Sequence, residues 1–134
     1  MDLFSPLSVT LLFVAVFALL QIPITATVGL RRQKLGVHFL DGGDEVLLKR
    51  MRAHGNFTET VPMALLVMAA AEISGAPYQI IWVGGISLLL GRTIHYLTLV
   101  TVGHGPGRAI GIGLTMLPLL VFSGCVLLRL TGTA

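Results

Sequence analysis

Three polar residues stand where an apolar stretch begins: Arg52, Asn56 and Glu59 in the run RAHGNFTETVP, residues 52–62. Spacings of four and three put them on one helical face, each about one turn from the next. In the next apolar stretch, LLLGRTIHYLTL, Arg92, His95 and Tyr96 stand at i, i+3 and i+4, again on one face. A further arginine, Arg108 in VGHGPGRAIGIG, follows a Gly/Pro turn and opens the last apolar stretch. There it joins the free amides of a helix N-terminus, an arrangement that attracts anions. Arginines, an amide and one acid together can recognise carboxylates and hold an ammonium.

Each of these residues also has a purely structural reading. Arg52 and Glu59 are spaced to form an ion pair that locks helices together. Arg92 needs an acid at its own depth, and Glu59 is the obvious one, so an Arg92–Glu59 pair is the simplest structural expectation. His95 is a candidate for packing against a backbone carbonyl, and Tyr96 for an interfacial aromatic. Gly84, Gly85, Gly107 and Gly111 would let helices approach closely.

The elements that carry these residues must be membrane helices. Of the 134 residues 54% are hydrophobic and 11% charged, and the mean hydropathy is +0.90, which excludes an ordinary soluble domain. Four apolar segments, about 3–30, 57–73, 78–102 and 109–130, are each near the roughly 20 residues that cross a bilayer as helix. The alternation that a membrane barrel needs is absent. The start MDLFSP carries an acid where a signal peptide has a basic region, so the first segment reads as a spanning helix. Pro23 and Pro62 predict kinks in the first and second helices. Gly42 and Gly43 predict a turn, after which Asp44 is placed to cap a long second helix. The expected architecture is a single all-α domain, residues 1–134, with helices about 3–30, 44–73, 78–102 and 107–130. Cys125 stands alone, outside any CxxC pair. The reading includes no metal site and no nucleic-acid partner.

Basic residues are unevenly shared. Arg31, Arg32, Lys34, Lys49, Arg50 and Arg52 lie in or beside the loop after the first helix, and Arg108 follows the third. The connection EISGAP between the second and third helices has none. By the positive-inside rule the first and third loops face the cytoplasm and both termini lie outside, with Arg129 the dissenting charge. Contact with anionic lipid is the plainer reading of Arg32, Lys34, Lys49 and Arg50.

RAHGNFTE followed by an apolar helix, GRTIH in the next helix, then GPGRAI and a later TMLP resemble the MAPEG family, the membrane-associated proteins of eicosanoid and glutathione metabolism. Microsomal prostaglandin E synthase and microsomal glutathione transferase belong to that family, and the FLDGGD loop resembles its bacterial branch. The likeness runs over residues 20–130. It implies a homotrimer of four-helix bundles in the bacterial inner membrane, with glutathione as co-substrate bound between neighbouring subunits on the cytoplasmic side. It also implies that Arg31, Arg52, Asn56, Glu59, Arg92 and His95 line the glutathione site and that Arg108 is catalytic. Three positions depart from the prostaglandin synthase pattern: Gly55 stands for an arginine, Leu99 and Ile112 for tyrosines.

The residues fit that chemistry by their own properties. Glutathione has two carboxylates, one ammonium and a thiol, so its site needs several arginines, one acid and polar amides on one membrane side. Thiolate chemistry requires lowering a thiol pKa from about 8.5; two units correspond to roughly 2.7 kcal/mol, within the reach of an arginine at a helix N-terminus. The expected activity is a glutathione-dependent transferase or peroxidase acting on a lipophilic electrophile that enters from the bilayer. A non-catalytic scaffold or lipid-binding protein of the same fold is the first alternative. A small transporter using Glu59, Arg92 and His95 as an ion relay is the second.

Overall fold

The computed structural model describes residues 7–132, and all its regular elements are helices. They are α1 (Ser8–Leu35), α2 (Glu45–Ile73), α3 (Tyr78–Thr101) and α4 (Pro106–Leu130). The expected start of the first helix near residue 3 lies outside the described residues. Its end differs from expectation, because α1 runs past Leu30 to Leu35. Arg32 and Lys34 occupy its last turn, where positive charge meets the negative end of the helix dipole. Gly36, at φ +66°, then takes the left-handed cap that a side chain would resist.

Asp44 performs the expected capping of α2, accepting the Leu47 amide at 2.6 Å. The same carboxylate receives the Arg31 guanidinium through two bonds, Nε at 3.1 Å and Nη2 at 2.6 Å. One side chain therefore fastens the end of α1 to the beginning of α2. The Arg31 bond, followed by the Leu47 amide, holds the Asp44 carboxyl below the usual aspartate range. A lowered folded-state pKa contributes stability that is present above the unfolded value and is lost as pH falls through the folded one. Protection of the Leu47 amide from hydrogen exchange should therefore persist down to about pH 4 and decline below it. Protection that stays flat into stronger acid would show that something else holds the joint.

The α1–α2 seam is aromatic and aliphatic at its centre: Phe13, Phe17 and Ile24 are buried with Phe57, Val61, Ala64 and Met68. The Phe17 and Phe57 rings lie 5.9 Å apart. Polar groups close both ends of the seam. Toward the α1–α2 loop, His54 Nε2 lies 3.2 Å from both Gln21 Nε2 and Thr25 Oγ1, and Arg50 Nη1 donates to the Thr27 carbonyl at 3.0 Å. At the other end the Glu72 carboxylate accepts the Val9 amide at 3.0 Å and the Thr10 amide at 2.8 Å. Glu72 thus satisfies two of the amides that every helix start leaves without an internal partner.

Helices α3 and α4 meet backbone to backbone. A Cβ at Gly91 would stand 2.9 Å from the Gly111 carbonyl oxygen, and one at Gly111 would stand 2.7 Å from His95 Cβ. Gly84 leaves room for the Phe122 ring and Gly85 for the Phe13 ring, so these glycines serve packing, as expected.

Three helices, α1, α3 and α4, are long and apolar enough to cross a membrane. On composition α2 falls short of the others because Asn56, Thr58, Glu59, Thr60 and Glu72 interrupt its apolar part. Each of α1, α2 and α4 continues through its internal proline, Pro23, Pro62 and Pro118. Leu19, Ile22, Leu66, Val83 and Leu120 point outward. An apolar exterior of this kind suits lipid as the surrounding solvent. The architecture is an all-α, four-helix membrane bundle.

Candidate functional site

At one end of the bundle the N-terminal half of α2 faces the turn between α3 and α4. A recess of about 380 Å³ opens between them. Glu45, Leu48, Lys49, Arg52 and Asn56 of α2 form one wall; Leu99, Gly103 and Arg108 form the other. The turn is built for close approach: at Gly103, φ +87°, an added Cβ would come within 2.9 Å of Lys49 Cε. Arg108 sits in the first turn of α4, half-buried, with no side chain capping that N-terminus. Its positive charge and the helix dipole therefore point at the same volume.

Lys49 is paired with Glu45 at 2.8 Å. Among the described residues neither Arg52 nor Arg108 has an acid partner. The recess thus presents two uncompensated guanidinium groups beside a polar amide, a setting suited to a ligand with more than one carboxylate.

The other expected site residues are placed differently. Arg31 is committed to Asp44. Glu59 is exposed on α2 and does not line the recess. The expected Arg92–Glu59 ion pair is not formed, nor is an Arg52–Glu59 pair. The reason is helical phase: Phe57 and Val61 are both buried in the core, and Glu59, two residues from each, is carried to the opposite side. Arg92, only 3% exposed, donates from Nη1 to the Asn56 carbonyl at 3.2 Å, while its Nε finds no partner among the described residues. Its side chain also borders a smaller apolar cavity of about 230 Å³ with Leu20, Ile24, Phe57 and Tyr96.

His95 is 2% exposed and lies near enough to Arg92 and Arg108 to feel both charges. Its Nε2 is buried without a partner among the described residues, so the expected bond to a carbonyl does not engage that nitrogen. Arg52, Asn56 and Arg108 thus come together in the recess, with Arg92 and His95 buried beside it. Of the three departures, Leu99 is an apolar part of the recess wall, Ile112 is exposed elsewhere on α4, and an added Cβ at Gly55 would lie 3.9 Å from Glu59 Oε1.

Lys49 was readable only as a topological charge, yet it lies three residues before Arg52 and seven before Asn56. That spacing puts it on the same helical face, which is the signal that would have found it. Gly103 gave no such signal, since its role comes from a neighbouring helix.

The MAPEG family model matches residues 10–128. The chain belongs to the MAPEG family. Among curated relatives of this MAPEG protein, the inner membrane protein YecN of Escherichia coli (strain K12) is 35% identical over 88 residues, which are 66% of the present chain and 67% of the relative. YecN of Escherichia coli O6:H1 matches with the same identity and coverage. No solved structure matches the chain.

Proposed function

We propose that this MAPEG protein is a membrane-embedded, glutathione-dependent transferase or peroxidase acting on lipophilic electrophiles. The observation that carries the proposal is the cationic recess, where Arg52 and Arg108 face one volume without acids of their own. Its size, about 380 Å³, falls at the lower end of the roughly 300–1,000 Å³ common to small-molecule sites. Arg52 and Asn56 receive the carboxylates and amides of the peptide, and Arg108 with the α4 N-terminus stabilises the thiolate. In a homotrimer Glu59 of a second copy would complete the recess and face the ammonium, while Arg31 stays with Asp44. On an electrophilic carbon the thiolate forms a C–S bond as the bond to the leaving group breaks and that group takes up a proton. On a hydroperoxide it takes the terminal oxygen as the O–O bond breaks, the alkoxide is protonated to the alcohol, and a second glutathione reduces the sulfenic acid to give the disulfide and water.

Glutathione should raise the melting temperature of the purified protein in detergent, whereas 2-mercaptoethanol, which has a thiol but no carboxylates, should not. Equal shifts with both, or none with glutathione, would remove the peptide from the site. One observation favours the scaffold alternative: Leu99 brings an apolar wall to the recess in place of a hydroxyl. Absence of both a glutathione shift and thiol conjugation would select that reading.

The inner membrane is the proposed location, as for YecN, with the recess in the cytoplasm and both termini outside. A cysteine placed at Gly43, in a Cys125→Ser background, should resist impermeant maleimide in intact cells and react after the membrane is opened. Labelling from outside would invert the topology.

A further inference from the structure

The loop between α1 and α2 ends in an apolar tip. Phe39 is 86% exposed and Leu40 78% exposed. Leu40 also stands at φ +55°, the only non-glycine residue with positive φ among those described. For a bulky side chain that conformation is an outlier and costs free energy unless its surroundings impose it.

The surroundings do impose it. Behind the tip, the amides of Gly36 and Val37 close α1 on the carbonyls of Gln33 and Arg32. Arg32 Nη1 donates to the His38 carbonyl at 3.1 Å. Ahead of it, Asp41 Oδ1 accepts the Gly43 amide at 3.1 Å, and Val37 packs where a side chain at Gly42 would stand. Then comes the Arg31–Asp44 joint. The loop is therefore held at both ends, and it holds two large apolar side chains outward. Water offers nothing for that arrangement.

We propose that Phe39 and Leu40 insert into the interfacial layer of the leaflet nearest the loop and that Arg32 and Lys34 beside them engage anionic headgroups. Two observations point to lipid as the occupant. Position is the first: Gly36 lies six residues past Leu30, the last apolar residue before the charged turn, so the loop begins about 9 Å beyond Leu30, and the Arg31–Asp44 pair brings its far end back toward α1. Interfacial apolar groups reach roughly 5–10 Å into the headgroup and acyl boundary, so the tip is within range. Charge is the second. Lys34 is exposed and Arg32, bonded to the His38 carbonyl, has no acid partner among the described residues, whereas of the two loop acids Asp44 is paired with Arg31 and Asp41 turns Oδ1 to the Gly43 amide, which leaves the loop net positive. Exposed apolar side chains on a net-positive loop are the pattern that binds an anionic lipid surface.

The test is a depth measurement on the full-length protein. Phe39→Trp in a Trp82→Phe background leaves one tryptophan, at the tip. In vesicles of phosphatidylcholine with phosphatidylglycerol, its emission should be blue-shifted, and bromines near the headgroup end of the acyl chains should quench roughly half of it, more than bromines at the chain ends. Removing phosphatidylglycerol should reduce the quenching. A nitroxide on a cysteine at position 39, in a Cys125→Ser background, supplies an independent readout and should collide more with oxygen than with a water-soluble nickel chelate. Water-like emission with no quenching would place the tip in solvent. Blue-shifted emission that bromolipids fail to quench would mean that a second copy of the chain covers it. Either result overturns the proposal.

Discussion

Arg108→Leu should leave folding and helix assembly nearly intact while lowering the rate of thiol conjugation about 30- to 150-fold near neutral pH. The side chain is half-buried at the entrance of α4 and forms no ion pair among the described residues, so little packing is lost with it. Its proposed contribution is to a charge that exists only once the thiol is ionised. Stabilisation of about 2 to 3 kcal/mol is what separates a thiol near its ordinary pKa of about 8.5 from one ionised at neutral pH. The deficit should accordingly shrink in alkali, where the thiol ionises without help. The thiolate absorbance of bound glutathione should appear near neutrality in the native protein and only at higher pH in the variant. An unchanged rate with an unchanged thiolate titration would remove Arg108 from the mechanism. No thiolate signal in the native protein would favour the scaffold.

Glu72→Ala should weaken the bundle by about 2 to 4 kcal/mol. The carboxylate accepts two backbone amides of a helix start 63 and 62 residues away. Hydrogen bonds to a charged group contribute about 1.5–3 kcal/mol each, and water reaching a half-buried site recovers part of the loss. Glu72→Gln retains one good acceptor and should fall between the variant and the native protein. The measurement is resistance to denaturation in detergent, with hydrogen exchange at Val9 and Thr10 reporting the local event. Equal stability of all three proteins would mean that solvent caps α1 as well as Glu72 does.

The sequence reading was strongest where the signal was local. Asp44 announced the start of α2 because a capping carboxylate acts on an amide three residues ahead. The four helices followed from apolar runs, and the close α3–α4 approach from small residues. Charges at membrane depth were harder to assign, since spacing gives a residue's phase on its own helix but not the orientation of that helix toward its neighbours. Arg92 and Glu59 were natural partners by charge and depth; the burial of Phe57 and Val61 turned Glu59 away, and Arg92 met the Asn56 carbonyl instead. The function of Glu72 was hidden for the same reason. Its partners are backbone amides on another helix, and no side-chain pattern marks an amide that needs an acceptor.

The distance along the chain between Glu72 and those amides bears on how the protein is made. When α1 first enters the bilayer, the residues up to Glu72 have not all been synthesised, so the amides of Val9 and Thr10 have no carboxylate to receive them. Helix α1 is complete as a membrane segment only when the far end of α2 reaches the same side. The first two helices are therefore expected to be released from the insertion machinery together, as a hairpin, and a chain truncated before Glu72 should be held there or degraded.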